Sequence, residues 1–227
     1  MNPSARTRIK ICGLTREQDV DAATSAGADA IGLVLYERSP RHVEPARAGA
    51  LARRLPPFVT PVLLFVNPTA VQVAEALEHV PAAVLQFHGD ESPAECAALA
   101  AGRPWLRAAR IPLDAAGGFD LIKFAQEYSQ AHALLLDAHV EGYGGAGKAF
   151  DWSRIPTNVD AHLVLSGGLT PANVGDGIAL LRPRCRTLAV DVSSGVESSK
   201  GIKDAGKIHR FVAAVRAADA AIAPSLP

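Results

Sequence analysis

Short apolar runs without polar alternation recur from end to end of this chain, each separated from the next by a longer polar or amphipathic stretch. The runs are Ile9–Cys12, Ala30–Leu35, Val59–Phe65, Ala82–Phe87, Trp105–Ala109, Ala133–Leu136, His162–Leu165 and Thr187–Val190. Strands buried on both faces read this way, because neither side of a parallel sheet meets water. Strict alternation with helical segments predicts parallel strands joined by helical crossovers. Eight such units in 227 residues fit an α/β fold, a single-domain (β/α)8 barrel over residues 1–227. The competing architecture is an open doubly wound sheet. No G-x-G-x-x-G follows the first run, which ends Ile11-Cys12-Gly13-Leu14, so that reading lacks its usual support.

The intervening segments carry helix signals. Thr15, with Gln18 three residues on, reads as a capping box opening a helix through Ser25. Glu44–Leu55 and Thr69–His79 read as helices. Ser92 caps a helix through Ala101, with Pro93 in its first position and Glu95 completing the box. Thr170-Pro171 opens a helix toward Leu181, and Ile202–Ala218 is the last, followed by a frayed tail from Ala217. Asp114–Glu127 is a weaker helix, interrupted by Gly117 and Gly118. The sixth crossover departs from the pattern: Ala138–Phe150 is a glycine-rich loop, and only a short helix can follow at Asp151–Arg154.

Composition removes several classes of function. Basic and acidic residues balance at 23 each, so the basic surplus of a dedicated nucleic-acid binder is missing. An anionic ligand must then be met by local devices. Cys12, Cys96 and Cys185 are odd in number and widely spaced, which fits neither a disulfide framework nor a zinc site and points to a reducing compartment. No apolar run reaches the ~20 residues of a membrane helix, and no apolar stretch follows the polar first residues as in a signal peptide. A cytoplasmic protein without membrane or nucleic-acid partners is the expectation.

In a parallel barrel, functional side chains project from the C-terminal ends of the strands. Cys12, Arg41, His88, Asp137 and Asp191 all stand at or just after such ends. Two glycine loops, Ser166-Gly167-Gly168-Leu169 and Ser193-Ser194-Gly195-Val196, follow the seventh and eighth runs. Glycine lets backbone N–H groups approach an anion, and barrels often hold a phosphate between these two loops. Either loop could instead be an ordinary turn that needs glycine for positive φ. Cys12 could be a nucleophile, a base or buried filler. Asp137 closes an apolar strand, where loss of water favours a protonated carboxyl and suits a general acid; it could also be a cap or a salt-bridged rim residue. Arg41 could fork a carboxylate or stand solvated on the surface. His88 could satisfy a turn. Lys10 reads as pointing away from Cys12.

Taken in order, these segments resemble the phosphoribosylanthranilate isomerase family of tryptophan biosynthesis, from about Arg8 to Val215. The similar stretches are Lys10–Thr15, Ser39-Pro40-Arg41, Phe65-Val66-Asn67, Gln86–Gly89, Leu136-Asp137-Ala138, Gly144–Lys148, Phe150-Asp151-Trp152, Ser166–Leu169 and Asp191–Glu197. The family loop commonly has threonine where Ala146 stands.

The resemblance implies an Amadori rearrangement, which converts an aminoaldose to an aminoketose with no metal and no organic cofactor. It implies Asp137 as general acid on the furanose ring oxygen and Cys12 as general base at the second sugar carbon. Arg41 would pair with the anthranilate carboxylate, and Asp191 would bind the anthranilate end or its amine, with His88 a further binding residue. Gly167, Gly168, Ser193, Ser194 and Gly195 would hold the phosphate. The loop Glu141–Gly147 would close over the substrate, and the protein would be a monomer or homodimer. The alternatives are another phosphosugar-binding barrel enzyme, or a non-catalytic phosphosugar binder that would not require Cys12 and Asp137. A synthase of the same pathway would instead call for lysine and glutamate at strand ends, and a histidine-pathway isomerase for aspartates on the first and fifth strands.

Overall fold

The computed structural model describes residues 6–113, 118–139 and 151–222. Eight parallel strands close into a barrel in sequence order. They are β1 (Arg8–Cys12), β2 (Ala30–Val34), β3 (Thr60–Phe65), β4 (Val84–Phe87), β5 (Trp105–Pro112), β6 (Ala133–His139), β7 (His162–Leu165) and β8 (Thr187–Val192). Closure comes from β1 pairing with β8 in the register Arg8↔Ala189 through Ile11↔Val192. The helices are α1 (Glu17–Ala26), α2 (Pro45–Ala52), α3 (Ala70–His79), α4 (Pro93–Ala100), α5 (Leu121–Glu127), α6 (Val174–Leu181) and α7 (Ala205–Ile222). After β6 the described crossover residues form only a 3-10 turn at Trp152–Arg154, where a short helix was expected. The loop Glu141–Gly147, with Ala146, and the Gly144–Lys148 stretch lie outside the described residues.

The strands are largely apolar on both faces because the two faces enter different cores. Ile9, Ile11, Leu63, Phe65, Leu85, Phe87, Leu163 and Leu165 face outward and pack under the helices, against Val20 of α1, Ile178 of α6 and Phe211 of α7. Inward-facing residues form two smaller clusters, Cys12 with Val34 and Leu64, and Ala108 with Leu135 and Val164. One polar device lies among the outward residues. Arg107 of β5 is buried and donates to Glu91 (2.8 Å) and to the carbonyl oxygens of Phe87 and Gly89, with its guanidinium over the Tyr128 ring. Glu91 also accepts from the N–H groups of Asn67 and Gly89. The turns after β3 and β4 are thereby tied to β5. Among the described residues no helix is long and apolar enough to cross a membrane.

Local signals place the starts of α3 and α4. Ser92 and Thr69 both cap through full capping boxes, with Glu95 and Gln72. Three expectations are corrected. Thr15 is not a cap: α1 starts after Arg16 with no side-chain cap, and the Thr15 hydroxyl donates to the Gly201 carbonyl instead. Thr170-Pro171 precedes α6 as a turn, in which the Thr170 N–H donates to the Asn173 side chain. Ile202 and Lys203 are not helical; they form a short strand, β10, antiparallel to β9 (Glu197–Ser199). The last helix starts later and runs past Ala218 to Ile222. The hairpin escaped the sequence reading because β9 and β10 are short and polar, with Gly201 turning at φ 82°. Ser92→Ala should lower stability by about 1 kcal/mol, the usual worth of a cap, measured by chemical denaturation; an unchanged midpoint would contradict the assigned capping role.

Candidate active site

The interior of β1 begins the site. Residues two apart in a strand share a face, so Lys10 points the same way as Cys12. This corrects the sequence expectation for Lys10. Lys10 lies in register with Asp191 of β8, and its Nζ donates to Asp191 Oδ1 at 2.9 Å with both side chains buried. Burial pulls the lysine down, yet Asp191 and Cys12 together outweigh it and hold the ammonium above its usual range. Gly32 of β2 makes room for this group. A Cβ there would lie 2.6 Å from Cys12 Sγ and 2.9 Å from Lys10 Nζ. Burial pushes the Cys12 thiol up, against the pull of Lys10.

Asp137 ends the inward face of β6. Its Oδ1 accepts from the Ala138 N–H at 3.0 Å, and its Oδ2 lies 3.0 Å from His88 Nε2. His88 Nδ1 in turn lies 3.1 Å from the Gln86 amide nitrogen. With that amide donating, His88 carries its proton on Nε2 and donates to a carboxylate. Turning the amide over presents Oε1 to Nδ1–H and leaves Nε2 to accept from a protonated Asp137. The chain of contacts is thus compatible with either neutral tautomer of His88. His88 does more than satisfy a turn, and Gln86 is a site residue the sequence reading missed. Its burial inside the barrel, as a polar side chain on an otherwise apolar strand, was the available signal.

Arg41 is neither solvated nor isolated. Its Nε and Nη2 donate to the two carboxylate oxygens of Glu197 at 2.7 and 2.9 Å, with both groups buried. Gly13, at φ 76°, lets the arginine stem cross the end of β1; a Cβ there would meet Arg41 Cδ at 2.4 Å. Glu197 also accepts from Lys203 Nζ at 2.8 Å. Burial raises the Glu197 carboxyl, but the two cations prevail and hold it below its ordinary range. Lys203 Nζ donates further to the Ser193 carbonyl, and the Ser193 hydroxyl donates to the Cys12 carbonyl. Neither Glu197 nor Lys203 was singled out from sequence, because their partners lie far away or across an unforeseen hairpin.

The two glycine loops meet beside these groups. Gly167 and Gly168 have φ of 72° and 68°. A Cβ on Gly167 would come within 2.7 Å of the Ala138 nitrogen, so only glycine lets the β7 turn lie against the end of β6. A Cβ on Gly195 would stand 1.9 Å from the Leu169 carbonyl oxygen, so the β8 loop rests on the β7 loop. Gly195 joins the loops and does not itself line the pocket. The turns after β3 and β4 fit together likewise, since a Cβ on Gly89 would strike the Asn67 side chain at 2.3 Å.

One pocket at the C-terminal mouth gathers nearly all of these residues. Cys12, Arg41, His88, Asp137, Asp191 and the loops Ser166–Leu169 and Ser193–Ser194 line it. β7 and β8 separate the strands of Cys12 and Asp137 in the closed barrel. Such a site can offer a thiol and a carboxyl to one small molecule, with backbone N–H groups of two loops beside them. Among the described residues no group of His, Cys, Asp and Glu converges as a metal site would require.

The model of the N-(5'-phosphoribosyl)anthranilate (PRA) isomerase family matches residues 9–214. A relative from Methylibium petroleiphilum, an N-(5'-phosphoribosyl)anthranilate isomerase, is 63% identical over 97% of this chain and 99% of its own. The crystal structure of phosphoribosyl anthranilate isomerase from Thermotoga maritima superposes with a TM-score of 0.81 at 36% identity, covering 93% of this chain and 99% of that one. A phosphoribosyl anthranilate isomerase in complex with reduced 1-(o-carboxyphenylamino)-1-deoxyribulose 5-phosphate gives 0.78 at 33% identity, with the same coverage. With the match running through every strand that lines the pocket, the chain belongs to the phosphoribosylanthranilate isomerase family.

Proposed function

We infer that this chain isomerises N-(5'-phosphoribosyl)anthranilate to 1-(2-carboxyphenylamino)-1-deoxyribulose 5-phosphate by an Amadori rearrangement. The observation that carries this reading is the convergence of Cys12, Asp137 and both glycine loops on one pocket in a chain of this family. The complex of a family member with a reduced form of that product supports it.

Asp137 is the general acid. Its carboxyl, protonated from water and held against His88 Nε2, gives its proton to the furanose ring oxygen; the ring opens to an imine conjugate acid, and the carboxylate left behind accepts from His88 Nε2–H. Cys12, as thiolate, takes the proton from the second sugar carbon. The C–H electron pair becomes the double bond of an enolamine, which tautomerises to the ketone. No electrons leave the substrate, so this rearrangement asks for acid and base only. The backbone of the β7 and β8 loops holds the phosphate, through Gly167, Gly168, Ser193 and Ser194, with Gly195 setting the spacing between the loops. Arg41 receives the anthranilate carboxylate with the part of its guanidinium that Glu197 leaves open, and Asp191 accepts from the anthranilate amine.

Turnover is followed by the loss of fluorescence of phosphoribosylanthranilate made in situ from anthranilate. Cys12→Ser should lower kcat by about 100-fold or more while product still binds, since a positioned base contributes about 10²–10⁴. Near-normal turnover would remove Cys12 from the mechanism. A comparable fall is expected for Asp137→Asn, and a mild effect would assign the acid elsewhere. Gly195→Ala should act mainly on KM, raising it about tenfold or more, because phosphate contacts exist in ground and transition states alike. A pure kcat loss there would argue against a phosphate-holding role.

A further inference from the structure

A buried lysine on the inner face of β1 has no part in the proton transfers above. Placing an ammonium and a carboxylate inside a barrel costs free energy that an apolar pair of similar volume would not. Lys10 and Asp191 stand there nonetheless, 2.9 Å apart, with Asp191 lining the pocket. The Lys10 ammonium and the Cys12 sulfur flank a single point over Gly32, where even a methyl group would strike both. One of the three ammonium protons is committed to Asp191, and a thiolate is an acceptor for another.

We propose that Lys10 is a positioning residue for the Cys12 base: seated on Asp191 in the notch over Gly32, its ammonium supplies the positive charge against which the Cys12 thiolate forms. The inference rests on Cys12 being the base. The charged groups that bear on this sulfur are Lys10 on its own strand, Asp191 on β8 and Lys203 on β10. Burial raises the thiol above its ordinary 9.0; Lys10 opposes this most strongly, Asp191 adds to the rise, and Lys203 opposes it more weakly. On ionisation the thiol proton leaves to water and Lys10 stays charged, with no bond to it made or broken. When the thiolate takes the substrate proton, the sulfur becomes neutral and the Lys10–Asp191 pair is left as it was. The same pair fixes Asp191 at the pocket floor, so one ammonium orients two groups of the site.

The test is the pH dependence of Cys12 alkylation by iodoacetamide in the full chain, read by mass spectrometry on the Cys12 peptide. Cys96 and Cys185, pushed by burial to about 12 and about 11, are read on separate peptides. The wild-type midpoint should lie above 9.0, the ordinary thiol value. Lys10→Met should raise it by about one unit or more, a tenfold loss of thiolate at fixed pH. The ascending limb of the kcat profile should move the same way, and Lys10→Arg should restore part of both. Lys10→Met strands a buried carboxylate, so a Lys10→Met/Asp191→Asn variant removes both charges together. Its midpoint should fall between those of the wild type and Lys10→Met, and it decides the matter if the single variant does not fold. A midpoint at or below the wild-type value in the double variant, or an unmoved one in a folded Lys10→Met protein, would overturn the proposal. Failure of the base reading is separately visible, as near-normal turnover in Cys12→Ser whatever the alkylation shows.

Discussion

The hydrogen bonds between β1 and β8 close the sheet, and closure decides what every other residue can do. An open parallel sheet would leave unpaired strand edges for a covering element to satisfy. Here the first and last strands satisfy each other over Arg8–Ile11 and Ala189–Val192. The same pairing sets Lys10 against Asp191 and ties the Ser193 hydroxyl to the Cys12 carbonyl. Residues about 180 positions apart in sequence become one floor and one wall of a pocket.

Closure creates an interior from which water is largely removed, and the charged groups inside it and buried at its mouth are paired. Lys10 faces Asp191, while Arg41 and Lys203 share Glu197. The chain has no net charge to attract an anion at long range. The polar groups at its mouth are local instead: glycine-spaced backbone, and cations whose orientation is fixed by a buried carboxylate. Arg41 shows the arrangement well. Two of its nitrogens are occupied by Glu197, which holds the plane of the guanidinium steady at the pocket wall. A surface arginine would first have to lose its rotamer freedom.

Glycines carry much of the geometry, for reasons that differ by position. Gly13 yields to the Arg41 stem, Gly32 to the sulfur and ammonium, and Gly195 to the carbonyl of a neighbouring loop. Each marks a place where two elements approach more closely than a methyl group allows. Several of the glycines noticed first in the sequence are therefore packing constraints. Gly195 illustrates the distinction, since it joins the β7 and β8 loops from behind the pocket.

The eight strands were legible from the chain because their apolar runs need no distant information. So were the helices that begin at Ser92 and Thr69, where cap and partner lie three residues apart. The strand ends named as site positions were legible for the same reason, since a parallel barrel sends its strand ends to one mouth. Thr15 carried the same local pattern as Ser92, but a contact with Gly201 took its hydroxyl. The β9–β10 hairpin, the inward face of Lys10 beside Asp191, the Gln86–His88–Asp137 chain and the Glu197 pairs were decided by tertiary structure alone. Each depends on which side chains meet across a closed barrel, and strand-to-strand register is set by the whole sheet. The sequence by itself determined the eight strands, their order and the residues at the mouth. Only the folded barrel decided which charges those residues face, because pairing energies act across space between groups the chain keeps far apart.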